Sequence, residues 1–512
     1  MSRPNFVSLN LPRDGHNSRA TSGQTAVVAG GGLAGVAAAT VLAERGVAVV
    51  LVEKNRDLGG RAGGWTDHLA SGEAFEMERG FHAFFRQYYN LRALVRRVDP
   101  DLSCFQPMDD YPVLGPGGRV QSFSGLPIKP PWNVIALTQR ASTLSFTDLL
   151  KVNKMAALAM MRYERDWTFG GYDEMTASAY LESLNFPPEA HRMLFDVFAR
   201  SFFNPYADMS AAEMLMMFHF YFVGNSEGLI FDVVHQPFST GIWRPLRKYL
   251  EELGVDVRTE CSVASLQKGD ARPWCVKVND GNGGGVGAES VEADHVVLAL
   301  DVAALQAVVN DSPDLDDAGF RDSVASLATT NPFAVWRLWL DKPANPDRKP
   351  FVGTTGIGPL DNISLYNLFE DESRDWATRN GGAVAELHAY GVPRDFDEAA
   401  LRAELMQAFH AFYPEFADAQ IIEERFLMRD DCPAFAPGMD VVRPTVATAH
   451  DGIVLAGDFV KLPLPSALME RAVGSGFLAA NTLLAPQGVQ PEPILSVSLS
   501  GLLGRRPRLE VA

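Results

Sequence analysis

The chain has 512 residues, and at about 150 residues per folding unit this length predicts two to four units rather than a lone binding module. Hydrophobic residues make up 47% and charged residues 21%, which excludes wholesale disorder, a collagen-like repeat and a coiled coil. Because 45 Lys and Arg residues stand against 63 Asp and Glu residues, the net charge is −18, and we expect no nucleic-acid partner.

The four cysteines are scattered and form no CxxC pair, which argues against a disulfide framework or a metal cluster and suits a reducing compartment. Residues 1–24 carry no apolar run, so we expect a flexible leader rather than a signal peptide. No stretch reaches the roughly 18 uninterrupted apolar residues of a spanning helix. These features predict a cytoplasmic protein.

The chain opens with a βαβ pattern. A β-branched run at 25–29 predicts a strand, an alanine-rich run at 33–45 predicts a helix that Gly46 ends, and 47–52 predicts a second buried strand. Residues 81–240 are rich in Phe, Tyr and Met and follow a mostly helical pattern, for example at 149–161 and 211–223. We therefore interpret 81–240 as a helical insertion.

The α/β pattern returns after the insertion. An amphipathic helix is predicted at 245–254, and strands follow at 255–261, 274–278 and 291–300. The glycine-rich segment 280–287 predicts a hairpin turn. After a mixed region at 312–450, the pattern predicts a buried strand at 452–456, a small-residue helix at 467–484 and an aperiodic tail at 486–512.

A dinucleotide signature lies between the first strand and helix. Gly30, Gly32 and Gly35 form G-x-G-x-x-G, which lets backbone amides and the positive helix end approach a pyrophosphate. Glu53 ends the second strand 18 residues beyond Gly35, where a carboxylate can accept hydrogen bonds from an adenosine ribose. The alternative is a tight glycine turn in some other α/β protein.

A second motif indicates which dinucleotide is the ligand. Glu53 and Lys54 are followed by Gly59, Gly60 and Arg61, and this E-K-x-x-x-x-G-G-R pattern resembles the flavoprotein superfamily of amine oxidases and carotenoid desaturases. The resemblance implies an FAD cofactor and a Rossmann-like FAD-binding domain of the amine-oxidase type. It implies that the cofactor contacts Gly30, Gly32, Leu33, Ala34, Gly35, Glu53, Lys54, Gly60, Arg61, Gly80, Phe81, His82, Val263, Gly457, Asp458, Leu468 and Met469.

The far end of the chain agrees with this. Asp458 follows a predicted strand, where ligands of open α/β sheets bind, and the resemblance implies that it holds the ribityl chain. The helix that opens at 467–472 can direct its amide end towards the flavin pyrimidine. The expected fold is therefore α/β, with an FAD-binding domain assembled from 25–80, 241–311 and 451–485, the helical insertion at 81–240, and an α+β substrate domain at 312–450.

Long motifs narrow the resemblance further. E-R-G-F-H-A-F-F-R-Q-Y-Y-N-L at 78–91, M-F-H-F-Y-F at 217–222, E-G-L-I-F-D-V at 227–233, E-L-H-A-Y at 386–390 and L-M-E-R-A at 468–472 resemble the β-carotene desaturase/methyl-migrating enzymes, the isorenieratene synthases. The resemblance spans residues 25–485. The chain departs from it at Val473-Gly474-Ser475-Gly476, where a Thr-rich run is expected, and at Lys461, where Arg is more usual.

The resemblance implies that an apolar carotenoid is the substrate. Conversion of a β-ionone end ring to a trimethylphenyl ring removes four hydrogens and moves one methyl group, so each ring needs two oxidations, with a quinone or oxygen as the final electron acceptor. His82 and His219 are the first candidates for the base that accepts ring protons, with Glu227 and Asp232 behind them. The alternative for each is a satisfied core residue or a helix cap.

Aromatic residues of the insertion can line a substrate tunnel, with ordinary core packing as the alternative. The candidates are Phe202, Phe203, Phe218, Phe220 and Phe222. Residues 127–161 combine Trp132, Ile135 and Phe146 with four basic residues against Asp148 alone, which predicts a surface that meets anionic headgroups. We therefore expect peripheral association with the inner face of a membrane, the alternative being a buried helical hairpin.

Three other functions remain open at this stage. An amine-oxidase-type flavoprotein would act on a polar amine and release hydrogen peroxide. A flavin-free lipid carrier similar to the prenyl-GTPase escorts would share the fold, although Gly30, Glu53 and Asp458 argue against it. A redox-neutral terpenoid isomerase would keep FAD and need no electron acceptor.

Overall fold

The computed structural model describes residues 6–11, 15–140, 151–185, 187, 202–280 and 289–505. It is built around two sheets, each with its own hydrophobic core. Helices of the described residues run over Leu33–Glu44, Tyr89–Val95, Trp132–Arg140, Lys154–Met160, Arg165–Tyr172, Ala177–Ser183, Ala211–Phe218, Arg244–Glu252, Val302–Asn310, Ala318–Ala325, Asp371–Asn380, Glu398–Phe412, Met439–Val442 and Leu468–Leu484.

The first sheet, which we call the parallel sheet, has five strands that all run in the same direction. In spatial order they are Asp256–Arg258, Ala48–Val52, Thr25–Ala29, His295–Leu298 and Ile453–Leu455. The predicted strand at 25–29 is confirmed in full, and that at 47–52 begins one residue later. Because all five strands end at one edge, segments far apart in the sequence meet there.

Two small-residue helices pack against each other beside this sheet. They are Leu33–Glu44 and Leu468–Leu484, and both were predicted within one residue of their observed bounds. A Cβ added at Gly476 would lie 2.2 Å from the backbone oxygen of Ala34. The Gly-Ser-Gly departure in the second helix therefore permits a close helix–helix approach.

The predicted single strand at 291–300 is wrong. The chain instead forms Glu289–Ala293, which belongs to a separate three-stranded sheet with Cys261–Lys268 and Trp274–Asp280, and then His295–Leu298 in the parallel sheet. Asp294 lies at the change of sheet, and its carboxylate accepts the Thr25 backbone N–H at 2.8 Å. The predicted turn at 280–287 lies outside the described residues except for Asp280, which ends its strand.

The second sheet, the large sheet, has seven strands. In spatial order they are Ile421–Arg429, Phe333–Leu340, Ala383–Ala389, Asn362–Leu365, Phe351–Thr354, Val113–Gly115 and Arg119–Gln121. The last two come from the segment predicted to be a helical insertion. A small sheet within that segment has the order Phe84–Phe85, Phe231–Val234 and Phe105–Pro107. The insertion is therefore only partly helical, because its strands complete the wall of the large sheet.

Two further elements differ from the expectations. The predicted helix at 211–223 is α-helical over Ala211–Phe218 and continues as one wider π-helical turn over His219–Val223. Of the predicted helix at 149–161, residues 149 and 150 lie outside the described part, and the observed helix is Lys154–Met160.

The leader is not a free segment over its described residues. Val7–Leu9 pairs antiparallel with Ile494–Ser496, and the Asn17 backbone N–H donates to the Gly488 oxygen at 2.8 Å. This pairing supplies backbone partners to the tail strand, whose Ile494 is buried. Residues near both ends of the chain thus form one small sheet, while the strands Gly64–His68 and Ala74–Glu78 make another.

Candidate active site

One continuous cavity runs from the edge of the parallel sheet to the large sheet. Its nucleotide end is lined by residues predicted to contact the cofactor: Gly30, Gly32, Leu33, Ala34, Glu53, Lys54, Gly60, Arg61, Val263, Gly457, Asp458, Leu468 and Met469. Phe81 and His82 also line the cavity, further along its wall. Gly35 and Gly80 are outside its lining. Elements from three distant parts of the sequence therefore form one site.

The glycine loop has the geometry that a pyrophosphate requires. Gly30 adopts φ +105°, and a Cβ there would lie 2.3 Å from the Ala299 oxygen. Gly35 lies behind the loop, where a Cβ would come within 1.8 Å of the Gly30 oxygen. In contrast, the Cβ position of Gly32 meets only the Gly60 Cα, at 3.9 Å. Gly32 therefore leaves room beside the start of the helix for a ligand.

The electrostatics of the loop suit an anion. The helix Leu33–Glu44 begins after Gly32 with no side-chain cap, so its first-turn amides and its positive dipole end face the cavity. The carboxylate of buried Glu53 accepts the Gly31 N–H at 2.7 Å through Oε2 and the Asn55 N–H at 2.9 Å through Oε1. The carboxylate of Glu53 thus holds the glycine loop in place through Gly31. Glu53 also lines the cavity, at the position where a ribose is expected.

Arg61 and Asp458 form an ion pair across the cavity, with Arg61 Nη2 at 2.5 Å from Asp458 Oδ1. Burial alone would lower the pKa of Arg61, but the Asp458 carboxylate raises it, so the guanidinium keeps its charge. Cys432 lies beside this pair, and burial raises the pKa of its thiol to about 12. Its neighbour Asp431 binds Arg79 Nη2 with both carboxylate oxygens, at 2.9 and 2.7 Å.

The second helix end also faces the cavity. Leu468 begins the helix Leu468–Leu484 with φ +50°, in the left-handed region that non-glycine residues rarely adopt, and the preceding Ala467 provides no side-chain cap. The acidic residue of the first turn, Glu470, is directed away and accepts the Asn90 and Leu91 backbone N–H groups at 2.9 and 3.0 Å. The uncapped amides of this turn are therefore available to an electron-rich ring edge.

The other end of the cavity is aromatic. Its lining there includes Phe81, Phe85, Tyr111, Phe123, Phe202, Phe203, Tyr221, Phe231, Phe333, Phe351 and Tyr390. These rings pack closely, as in the stacked pair of Phe81 and Phe351, whose centroids lie 4.4 Å apart. Such a surface suits an extended apolar molecule.

Only two of the five predicted substrate residues, Phe202 and Phe203, line the cavity. Phe220 and Phe222 are buried outside its lining, and Phe218 stacks on Phe222 with centroids 4.9 Å apart. Tyr221, which lies in the wider helical turn at 219–223, lines the cavity instead. The sequence pattern alone does not show which of these consecutive aromatic residues faces inwards.

The four candidate bases are separated by the fold, and only His82 lines the cavity. Its Nδ1 donates to the Gly80 oxygen at 2.7 Å, which leaves Nε2 as the acceptor atom, and burial lowers its pKa to about 4. His82 is therefore neutral near pH 7.

The other three candidates have structural partners outside the cavity lining. His219 stacks on Tyr163 and lies 2.6 Å from the Ser498 oxygen through Nε2. Glu227 accepts the Tyr89 hydroxyl at 3.1 Å, and Asp232 accepts Arg92 Nη2 at 2.6 Å. The structure therefore places His219, Glu227 and Asp232 outside the cavity lining, and a role for any of them as the base stays a prediction.

Sequence reasoning missed a polar cluster at the aromatic end. His388 lies 2.7 Å from Glu386 Oε1 through Nε2 and 2.7 Å from the Tyr390 hydroxyl through Nδ1. His388, Tyr390 and Asn362 line the cavity. The signal was the spacing of Glu386, His388 and Tyr390 in the E-L-H-A-Y motif, because alternate residues of a strand share one face.

Comparison with known proteins identifies the family. The sequence profile described as "Flavin containing amine oxidoreductase" matches residues 33–484. The chain belongs to this family. It is 43% identical to a carotenoid phi-ring synthase of Streptomyces griseus over 96% of this chain and 94% of that protein. It is also 29% identical to a carotenoid phi-ring synthase of Chlorobaculum tepidum, over 94% of this chain and 92% of that one.

A solved structure shares the fold. A redesigned putrescine oxidase superposes with a TM-score of 0.65 at 15% identity, over 90% of this chain and 99% of that chain. The predicted α/β FAD-binding fold and the superfamily resemblance are thereby confirmed. The protein is an FAD-dependent oxidoreductase.

The residues of the nucleotide end fit this cofactor. The open space beside Gly32, the two uncapped helix ends and the Arg61–Asp458 pair are suited to the pyrophosphate, the flavin ring and the ribityl chain. Among the described residues, no group of three or more His, Cys, Asp or Glu side chains is arranged to hold a metal ion. Within the same residues, no helix has both the length and the apolar character needed to cross a membrane.

Proposed function

We propose that this enzyme converts the β-ionone end ring of an apolar carotenoid into a trimethylphenyl ring, with a 1,2-shift of one methyl group. The observation that carries the proposal is that a single cavity contains both the predicted cofactor site and the aromatic end. The two phi-ring synthases that the chain resembles over most of their length support the same reaction.

FAD, when bound, would supply the oxidising power for hydride removal from carbon, with a quinone or oxygen as the final electron acceptor. The protein stabilises the charge that develops on the ring, excludes water and orients the ring. Aromatic faces such as those of Phe81, Phe202 and Phe231 stabilise a positive charge on the ring, and the apolar wall excludes water that would trap the cation as an alcohol. The rigid packing holds the ring in one orientation for two successive oxidations.

We further propose that the enzyme collects its substrate from the inner face of a membrane, working from the cytoplasm. A docking patch, defined as Ile128, Trp132, Ile135, Met155 and Leu158, exposes its apolar side chains, with Trp132 62% and Met155 76% accessible. Lys129, Arg140 and Lys154 belong to the same segments. Apolar side chains beside basic ones suit an anionic bilayer surface.

The docking patch is connected to the aromatic end of the cavity. Arg140, at the end of the helix Trp132–Arg140, donates to the backbone oxygens of Ser124 and Gly125 at 2.9 and 3.0 Å. The preceding residue, Phe123, lines the cavity and stacks on Tyr111 with centroids 4.6 Å apart. A carotenoid that enters beside this helix would reach the aromatic wall first.

The test uses the purified FAD enzyme with β-carotene in anionic liposomes and a soluble quinone. We expect products that have lost four hydrogens per converted ring, identified by mass spectrometry, and aromatic ring signals by NMR. A parallel incubation with a panel of primary amines tests the amine-oxidase alternative. Hydrogen peroxide release with an amine, and no hydrogen loss from β-carotene, would contradict the proposal.

A further inference from the structure

A directed chain of hydrogen bonds reaches the aromatic end of the cavity from the core of the large sheet. Glu386 and His388 lie on the strand Ala383–Ala389, and Tyr390 follows it, so their side chains share one face. Asn362 Nδ2 donates to the Tyr390 oxygen at 3.0 Å, and the Tyr390 hydroxyl lies 2.7 Å from His388 Nδ1. His388 Nε2 lies 2.7 Å from Glu386 Oε1.

The buried end of the chain fixes the direction of these bonds. Burial alone would raise the pKa of Glu386, but the charge of Arg337 and the contact with His388 lower it to about 2. An ionised carboxylate only accepts hydrogen bonds, so His388 carries its proton on Nε2. Nδ1 is then the acceptor for the Tyr390 hydroxyl. The whole chain is poised to move one proton from the cavity towards Glu386.

Its position suits a reaction next to the cofactor site. His388 and Tyr390 line the cavity, and the ring of Phe203 packs on that of Tyr390 with centroids 4.8 Å apart. Cys432, which lies beside Arg61 and Asp458, shares a cluster with Phe203 and Tyr390. The polar chain therefore ends where the aromatic wall meets the Arg61–Asp458 pair.

We propose that Tyr390 and His388 accept the proton whose loss makes the substrate ring aromatic, an inference that rests on the proposed function. In this step a ring C–H bond of the cation breaks, and its electron pair enters the ring. The proton goes to the Tyr390 oxygen, while the phenol proton passes to His388 Nδ1. The imidazolium that forms is paired with the Glu386 carboxylate, and it returns its proton through Tyr390 to solvent once the aromatic product has left the cavity.

The other histidine of the cavity lacks this support. His82 Nδ1 is held by the Gly80 oxygen, and among the described residues no carboxylate hydrogen-bonds to its ring. Protonated His82 would be a buried cation with no bonded counter-charge, which is costly. Protonated His388 would face a carboxylate at 2.7 Å. The geometry thus favours His388 as the residue that holds the proton.

The first test needs no turnover. In the resting FAD enzyme with ¹⁵N-labelled histidine, we expect Nε2 of His388 to carry a proton and Nδ1 to accept a hydrogen bond, with the resonances assigned by the signal that His388→Gln removes. In Tyr390→Phe, the Nδ1 resonance is expected to shift because its hydrogen-bond donor is gone. A proton on Nδ1, or an unchanged Nδ1 resonance in Tyr390→Phe, would overturn the assigned chain.

The second test separates oxidation from proton loss. The wild type, His388→Gln and Tyr390→Phe are mixed anaerobically with β-carotene in liposomes to follow flavin bleaching. Arene formation is followed in separate incubations that also contain a soluble quinone, because each ring needs two oxidations and one FAD accepts only two electrons. We expect both variants to retain FAD, to bleach with β-carotene, and to form arene on the order of a hundredfold more slowly than the wild type. Products that have lost hydrogens but are not aromatic should accumulate.

Tyr413→Phe is the matched control, because Tyr413 is a buried phenol of the large-sheet core outside the cavity lining. Equal melting temperatures and FAD contents exclude misfolding of a variant. Arene formation at the wild-type rate in both cavity variants, or its loss in His82→Gln alone, would overturn the proposal. Failure of the wild type itself to convert β-carotene would instead overturn the proposed function.

Discussion

Arg61 Nη2 and Asp458 Oδ1 lie 2.5 Å apart although 397 residues separate them in the sequence. Arg61 belongs to the Gly60–Ala62 turn near the start of the chain, and Asp458 follows the last strand of the parallel sheet. The pair therefore joins two distant segments of the chain, and its side chains line the cavity at the end where we predict FAD to bind.

We expect Asp458→Asn to weaken FAD binding by at least about tenfold, because the neutral amide removes the charge that pairs with the partly buried guanidinium of Arg61. Flavin fluorescence titration of the apoprotein measures the change. Lys342→Ala is the control, since it removes an ion pair to Asp418 on the surface and should leave FAD affinity unchanged. Equal affinities in Asp458→Asn and the wild type would refute a cofactor role for the pair.

Substitution of two glycines of the same motif should have different effects, on protein stability in one case and on FAD affinity in the other. Gly35→Ala places a Cβ 1.8 Å from the Gly30 oxygen, so we expect it to destabilise the apoprotein itself. Gly32→Ala meets nothing nearer than 3.9 Å, so the apoprotein should keep its melting temperature while FAD binds about tenfold or more weakly. Thermal melting with and without FAD distinguishes the two. An equal loss of apoprotein stability in both variants would contradict this account.

His219 should affect stability towards acid. Burial lowers its pKa from 6.5 to about 4, so below pH 6.5 the unfolded chain takes up a proton that the folded protein refuses. This proton uptake does not lower the free energy of unfolding above pH 6.5, but lowers it progressively as the pH falls towards 4. The expected loss is about 3 kcal/mol, since each unit of pKa shift corresponds to about 1.4 kcal/mol.

In His219→Gln, which keeps a side-chain donor for the Ser498 oxygen, this part of the acid sensitivity should disappear. Urea unfolding of both proteins at pH 7 and pH 4.5 gives the comparison. Parallel losses of unfolding free energy in the variant and the wild type would show that His219 does not titrate as stated.

The docking patch is tested by introducing acidic residues in place of its exposed apolar side chains. We expect the double variant Trp132→Glu and Met155→Glu to lose most binding to anionic liposomes in flotation, because both side chains are largely exposed. Val441→Glu is the matched control, since Val441 is 82% accessible on a different element. Flotation of the double variant at the wild-type level would exclude the patch as the membrane contact.

The glycine loop, the helix behind it and Glu53 were predictable because they are contiguous and follow local rules of turn, helix and strand. FAD followed from the G-G-R motif, whose resemblance to a known superfamily covers the nucleotide end residue by residue. The remote Asp458 was also predictable, since strand ends of a parallel sheet meet at one edge. For these residues, short sequence motifs were enough to predict a place in the cofactor site.

Only the tertiary structure shows which aromatic and histidine side chains line the cavity, because the local sequence pattern does not distinguish them. Phe218, Phe220, Tyr221 and Phe222 are nearly equivalent in sequence, yet in the folded chain Tyr221 lines the cavity and the other three do not. The surroundings of His219 and His388 likewise depend on long-range contacts. His219 lies against the backbone oxygen of Ser498, and the partner of His388, Glu386, is held by Arg337 from the neighbouring strand. Burial and partner geometry arise from contacts between distant segments, and these determine whether a histidine packs in a core or lines the cavity.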